Sequence, residues 1–221
     1  MAAALQRAAS VPCPSHAQEP VVVKLGGSVV RSGALAPWLE VIAASQTPVV
    51  MVPGGGALAD EVRSCQQQLG FGDTAAHRMA LLAMDQLAWA VAGVRPGFEV
   101  GTTEEALRAI LGRGHVAVWA PSALIADRSD IEATWRLTSD SLALWLAGKL
   151  GAKTCCLIKS VAPERGTRSA QALARDGVVD EAFPAMLADT GVRAVMFGQG
   201  DQSSLAQTLA GDTAPAGLSI E

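Results

Sequence analysis

The chain has 221 residues, of which 50% are hydrophobic and 17% charged, and its formal net charge is −4. A hydrophobic fraction of this size favours a globular protein over a disordered chain. The acidic balance argues against nucleic acid as the main partner, because phosphate backbones require a concentrated basic surface. No apolar run approaches the roughly 20 residues of a membrane span, so the sequence predicts no membrane association.

The cysteines and histidines are not spaced as metal ligands. The four cysteines and three histidines include no C-x-x-C pair and no Cys–His pairing typical of structural zinc, so no metal ligand is assigned. Cys155 and Cys156 lie in an apolar run, where cysteine acts as a small core residue, and this usage favours a cytoplasmic protein. Residues 1–19 lack the apolar stretch of a signal peptide. We expect a disordered tail there, with a targeting peptide as the alternative, followed by a single domain over residues 20–221.

From residue 20 onward, short β-like runs alternate with helical ones. The first run, Val21–Leu25, is apolar except for Lys24, which is typical of a strand buried on both faces. Further strands are predicted at 48–52, 115–120, 154–158 and 193–197, and helices near 35–45, 57–69, 74–92, 103–111, 139–150, 169–175, 181–189 and 203–209. Strands that alternate with helices predict an α/β fold whose mainly parallel sheet has helices on both faces.

Two of the predicted strands end in glycine-rich loops. Gly26-Gly27-Ser28 follows the first strand and Gly54-Gly55-Gly56 the second. Glycine lets a backbone approach a ligand closely and point its N–H groups at an anion, so two such loops at one sheet edge can hold two phosphates facing each other. The alternative interpretation is that these glycines only turn the chain from strand to helix. A Walker-type loop and a G-x-G-x-x-G motif are both absent, which disfavours P-loop enzymes and Rossmann dehydrogenases.

Two lysines occupy equivalent places at strand ends. Lys24 lies inside an apolar strand, and Lys159 directly follows the strand over 154–158. Because an unpaired buried ammonium is costly, an anionic partner is expected. Asp140, at the start of the helix over 139–150, is the candidate partner for both. The open alternatives are that the lysines emerge into water and that Asp140 caps its helix.

Several of these segments together resemble the amino acid kinase superfamily. The similar segments are Lys-Leu-Gly-Gly-Ser (24–28), Pro-Gly-Gly-Gly (53–56), Thr-Ser-Asp-Ser-Leu-Ala (138–143), the strand with Lys159, and Gly-Val-Val-Asp-Glu-Ala-Phe-Pro (177–184). They occur in the family's order over residues 20–221. The resemblance implies a three-layer αβα sandwich, ATP and Mg²⁺ as cosubstrate and cofactor, and a homo-oligomer, a dimer or larger.

The positions of the candidate residues, together with the resemblance, assign them roles. Lys24, Asp140 and Lys159 are expected at the transferred phosphoryl group, and Gly26, Gly27 and Ser28 at the nucleotide phosphates. The acceptor is expected at five residues: Gly54, Gly55, Gly56, Asp60 and Arg63. For Asp60 and Arg63, a solvated helix-surface position is the alternative.

Residues 76–86 and 135–141 look most like the branch of methanofuran biosynthesis, in which the acceptor is an aminomethylfuran phosphate. This resemblance predicts a kinase that acts on a phosphate monoester. The alternatives are another acceptor, such as isopentenyl phosphate or a nucleoside monophosphate, and a non-catalytic member that binds a nucleotide or oxyanion. The segment Lys159–Pro163 departs from the family pattern near the nucleotide base and keeps the last alternative open.

Overall fold

A computed structural model describes residues 19–31, 33–160, 165–212 and 217–221. The expected N-terminal tail therefore lies almost entirely outside the described residues. The strands are β1 (Val21–Leu25), β2 (Val49–Pro53), β3 (Phe98–Gly101), β4 (Val116–Trp119), β5 (Thr154–Ile158), β6 (Gly166–Arg168), β7 (Arg193–Phe197) and β8 (Leu218–Ile220). The helices are α1 (Gly27–Arg31), α2 (Leu35–Ala43), α3 (Gly56–Leu69), α4 (Asp73–Val94), α5 (Glu104–Gly112), α6 (Ser122–Ile125), α7 (Ser139–Leu150), α8 (Ala170–Arg175), α9 (Phe183–Thr190) and α10 (Gln202–Leu209).

The described strands form one sheet in the order β3-β4-β2-β1-β5-β7-β8-β6. All neighbouring pairs are parallel except β7 and β8, which run antiparallel. The α/β prediction with a mainly parallel sheet is therefore confirmed. β1 lies between β2 and β5 at the centre of the sheet, so the two glycine loops and Lys159 emerge at the same edge.

Hydrophobic side chains pack on both faces of the sheet and build a three-layer arrangement. One face of the sheet, to which β1 contributes Val22, is covered by α5, α7, α8 and α9. The other face, to which β1 contributes Val21, Val23 and Leu25, is covered by α1, α2 and α10. α4 contributes side chains to both groups, Leu81 and Met84 to the first and Ala88 and Val91 to the second. No helix in the described part of the chain combines the length and the apolar character needed to cross a membrane.

The alternation of side chains along the central strands decides where the lysines point. In a strand, residues two apart lie on the same face. Lys24 therefore shares the face of Val22, which α7 covers, and Lys159 continues the same face of β5 beyond Leu157. Both ammonium groups consequently reach the first turn of α7, where Asp140 lies.

Candidate active site

Two lysines and one carboxylate form a buried charge cluster at the carboxyl edge of the central strands. The Lys24 Nζ lies 2.5 Å from Asp140 Oδ1, and the Lys159 Nζ donates to Asp140 Oδ2 at 2.6 Å. Lys24 and Asp140 are both only 4% exposed. The cluster carries two positive charges and one negative charge, so it keeps a net positive charge in a buried place.

The surroundings of Asp140 and Lys159 shift the pKa values of these two groups. Burial by itself would raise the pKa of Asp140, but the charges of Lys24 and Lys159 outweigh it and lower that pKa from 3.8 to about 2. Burial, and then repulsion from Lys24, lower the pKa of Lys159 from 10.5 to about 8, against the opposing attraction of Asp140. Asp140 is thus ionised at neutral pH, and Lys159 loses its proton in the mildly alkaline range.

Asp140 does not cap its helix. Thr138 occupies the N-cap position of α7 without a side-chain cap bond, and the Asp140 carboxylate faces the two lysines instead. The functional interpretation of Asp140 as the partner of both lysines therefore agrees with its position, and the capping alternative is wrong.

Asp180 fixes the first turn of α7 from a distant part of the sequence. It lies between α8 and α9, and its carboxylate accepts hydrogen bonds from the Thr138 N–H at 2.9 Å, the Thr138 hydroxyl at 2.8 Å and the Ser141 N–H at 3.0 Å. The Ser141 hydroxyl also donates to Asp180. Because Asp140 lies between Thr138 and Ser141, these bonds hold it in place from both sides.

The two glycine loops touch each other. A Cβ added to Gly27 would lie 2.3 Å from the Gly56 Cα and 2.4 Å from its nitrogen, which is too close for any side chain. Gly56 itself has a φ of 54°, a conformation that favours glycine. The close approach places the start of α3 directly beside the loop after β1. The first N–H groups of α3 have no acceptors within their own helix, so this junction is suited to an anion.

A cavity of about 280 Å³ opens beside this junction. Its lining includes most of the predicted phosphate- and acceptor-binding residues: Gly27, Ser28, Gly54, Gly55, Gly56, Asp60 and Arg63. Gly26 does not line it; its N–H donates to the Ile158 carbonyl at 2.9 Å and joins the loop to β5. Ser28 donates to the Ser160 hydroxyl at 3.0 Å, which links the same loop to the residue after Lys159.

The outer wall of the cavity is held by a chain of polar contacts between α3, α4 and Trp135. The Trp135 Nε1–H donates to Gln66 at 2.6 Å, and the Gln66 amide donates to Asp73 at 2.8 Å. The Arg63 guanidinium lies 4.0 Å from the centre of the Trp135 ring, and its Nη1 is 3.5 Å from Asp60. Gly72 is the N-cap of α4, and Asp73, in the first turn of that helix, belongs to this wall.

The sequence did not predict three residues that line the cavity or hold the cluster in place: Asp180, His77 and Ser139. Asp180 occurs in the segment 177–184 used for the family resemblance, yet its contacts with residues 138 and 141 span about forty residues and leave no local pattern. His77 was assigned no role, and a helical pattern alone places it equally well on a surface or in a core. Ser139 is adjacent to Asp140, which was the available signal, and its side chain lines the cavity.

Comparison with known proteins identifies the family that the sequence motifs indicated. The model of the amino acid kinase family matches residues 19–163. The chain therefore belongs to the amino acid kinase family. Among solved structures, it is similar to uridylate kinase from Archaeoglobus fulgidus, with a TM-score of 0.69 and 19% identity over 91% of this chain and 99% of that one. The UMP kinase of Bacillus anthracis gives a TM-score of 0.66 and 14% identity over 93% and 97% of the two chains. These two likenesses establish the fold.

A curated relative is the [5-(aminomethyl)furan-3-yl]methyl phosphate kinase of Methanocaldococcus jannaschii. It is 28% identical to this chain over 135 residues, which are 58% of this chain and 60% of that protein. The match thus spans less than two thirds of the relative's length.

Proposed function

We propose that the protein is an ATP-dependent kinase that transfers the γ-phosphoryl group to a phosphate monoester. The observation that carries the proposal is the buried cluster of Lys24, Asp140 and Lys159 beside two touching glycine loops. A positive cluster and the N-terminal N–H groups of α3 and α7 at one cavity suit a reaction in which two anions must be brought together.

In the proposed reaction, an oxygen of the acceptor phosphate attacks the γ-phosphorus of ATP. A P–O bond forms there, the bond between the γ-phosphorus and the β–γ bridging oxygen breaks, and the electron pair remains on ADP. No general base is required, because a phosphate monoester is already largely deprotonated at neutral pH. Lys24 and Lys159 counter the negative charge of the transferred group, while Asp140 holds both ammonium groups in position.

Mg²⁺ enters this proposal with the nucleotide. In the described part of the chain, no group of three or more His, Cys, Asp and Glu side chains forms a cation cage, and Asp140 is already engaged by two lysines. Mg²⁺ commonly binds through substrate phosphates and retained waters, so these residues fit an ion carried by the phosphates of ATP. Gly27 and Ser28 are the residues that would face those phosphates.

For the acceptor we propose [5-(aminomethyl)furan-3-yl]methyl phosphate, which would be converted to its diphosphate in the synthesis of a methanofuran-type cofactor in the cytoplasm. The curated relative supports this acceptor, as do the sequence segments 76–86 and 135–141. The cavity supports it too, because its volume suits a small molecule and Asp60 offers a carboxylate for an ammonium group.

The test is an acceptor panel. Purified protein with ATP and Mg²⁺ is incubated separately with the aminomethylfuran phosphate, isopentenyl phosphate and UMP, and the diphosphate product is followed by ³¹P NMR. We expect the highest kcat/KM with the aminomethylfuran phosphate. A preference for isopentenyl phosphate or UMP would replace the acceptor but keep the reaction class. ATP binding without turnover of any acceptor would contradict the kinase proposal and favour a non-catalytic nucleotide-binding member.

A further inference from the structure

His77 is a buried polar residue of the cavity that the proposed reaction does not use. It lies on α4, is 8% exposed, and is one of the residues that line the cavity. Burial lowers the pKa of His77 below its ordinary value of 6.5, so the imidazole is neutral at physiological pH.

The other polar side chains on this outer wall have partners. Trp135 is hydrogen-bonded to Gln66, and Gln66 is hydrogen-bonded to Asp73. Arg63 forms an ion pair with Asp60. Among the described residues, the His77 ring has no hydrogen bond. The ring nitrogens of His77 are not enclosed by protein atoms, so the imidazole is available to hydrogen-bond a molecule bound in the cavity.

The distance between His77 and the contact of the two glycine loops follows from the number of residues that separate them along α4. A Cβ on Gly55 would lie 3.6 Å from the Ala83 Cβ. The contact between the two glycine loops therefore lies beside Ala83 of α4. His77 precedes Ala83 by six residues, which is about 9 Å at 1.5 Å per residue. Asp60 lies five residues beyond Gly55 on α3, which is about 7.5 Å by the same measure. His77 and Asp60 are therefore at similar distances from the place where a phosphate is expected.

We propose that His77 is a specificity-determining residue that accepts a hydrogen bond from a donor group at the far end of the acceptor, about 9 Å from its phosphate. This inference rests on the proposed function and adds the residue that distinguishes acceptors. An extended aminomethylfuran phosphate has its amine roughly 8 Å from its phosphorus, when counted over the intervening bonds. The amine would donate to the neutral imidazole, and the Asp60 carboxylate would offset its charge. An isopentenyl chain has no donor at this distance and would leave His77 unsatisfied.

The test compares two acceptors that differ only in the amine: the aminomethylfuran phosphate and the analogue with a methyl group in place of the aminomethyl group. The variants are His77→Phe, which removes the acceptor nitrogen, and His77→Gln, which keeps a hydrogen-bond acceptor. Thr74→Ala, an exposed position one turn earlier on α4, is the matched control. We expect His77→Phe to raise KM for the amine-bearing acceptor at least 10-fold, with kcat and the KM for the methyl analogue within 3-fold of wild type. His77→Gln should recover part of the loss, and Thr74→Ala should behave as wild type.

An equal loss for both acceptors in His77→Phe and His77→Gln, with unchanged melting temperatures, would overturn the proposal, because a structural histidine would act on both alike. A binding measurement keeps this outcome separate from a failure of the proposed function. The imidazole ¹⁵N resonances of His77 are recorded without ATP, with and without the amine-bearing phosphate. A shift with this phosphate and none with the methyl analogue supports the role of His77 even if no phosphoryl transfer occurs. Identical spectra with both compounds would contradict the role of His77 even if transfer does occur.

Discussion

The activity of the charge cluster is expected to depend on pH through the protonation of Lys159. Its ammonium group is the form that can stabilise a transferred phosphoryl group, and its pKa lies near 8 because of burial and repulsion from Lys24. The protonated fraction therefore falls as pH rises through 8 rather than through 10.5.

We predict that kcat/KM for ATP decreases above pH 8 and approaches a tenfold loss per pH unit. Lys159→Arg should keep its charge over this range and remove the decrease, at some cost in absolute rate because the guanidinium is larger. The measurement is a pH profile of kcat/KM from pH 6 to 10 for both proteins. A wild-type profile that stays flat to pH 10 would exclude Lys159 from the reaction.

The proposed role of Asp60 is to bind the ammonium group of the acceptor through its carboxylate. It lines the cavity on the first turns of α3, and about half of its side chain is exposed. We predict that Asp60→Asn raises KM for the amine-bearing acceptor about fivefold, because a partly exposed ion pair contributes on the order of 1 kcal/mol. KM for ATP should change little.

The matched control for Asp60 is Glu61→Gln, which removes a neighbouring carboxylate that is not part of the cavity lining. Isopentenyl phosphate, which has no cation, should be insensitive to both changes. If Asp60→Asn leaves KM for the amine-bearing acceptor unchanged, Asp60 does not bind the amine.

At the scale of elements, the loop between α8 and α9 determines the position of α7. Asp180 accepts hydrogen bonds from the backbone and hydroxyl groups of Thr138 and Ser141, on either side of Asp140. It touches neither lysine in these contacts, so we regard it as a positioning residue.

We predict that Asp180→Asn lowers kcat about 10-fold and destabilises the protein by about 2 kcal/mol. The asparagine places an NH₂ group, which is a hydrogen-bond donor, where a carboxylate oxygen accepted hydrogen bonds from Thr138 and Ser141. Thermal unfolding and steady-state kinetics measure the two effects. Glu181→Gln, an exposed neighbour paired with Arg136, is the control and should change neither. Asp180→Glu, which restores the charge, should recover more stability than Asp180→Asn. Wild-type kcat in Asp180→Asn would show that α7 is positioned without this loop.

The elements differ in how well the sequence predicts them, for physical reasons. β1, β5 and β7 have the predicted limits, since a strand buried on both faces is a continuous apolar run. β3, β6 and β8 were not predicted because they have only three or four residues and include polar side chains that blur the pattern. The charge cluster was predictable because Lys24 is anomalous within its strand. Asp180 and His77 were not, because their roles arise from contacts and burial that only the folded chain creates.

For the whole molecule, the homo-oligomer remains a prediction, and α4 offers a surface for it. Met79, Leu82 and Trp89 are 38%, 52% and 66% exposed and lie on one side of the helix, since their spacings of three and seven residues return to nearly the same direction. Exposed apolar side chains grouped in this way are typical of a subunit contact.

We predict that a double change, Leu82→Glu with Trp89→Glu, converts the oligomer to a monomer, because two charges would be buried against a second copy. Light scattering coupled to size-exclusion chromatography measures the mass, and Val94→Glu, on another side of α4, is the control. A wild-type protein that is monomeric at micromolar concentration would contradict the predicted oligomer. An oligomer that persists in the double variant would place its interface elsewhere.

The central claim, that the Lys24–Asp140–Lys159 cluster transfers a phosphoryl group, is tested most directly by the turnover of Lys24→Met. The measurement is the rate of diphosphate formation from ATP and the aminomethylfuran phosphate at saturating concentrations, compared with wild type and with Lys153→Met, which removes an exposed lysine remote from the cluster. The cluster mechanism predicts that wild type and Lys153→Met turn over alike, and that kcat of Lys24→Met falls on the order of 100-fold or more while its circular dichroism spectrum is unchanged. Near-normal turnover in Lys24→Met would contradict it.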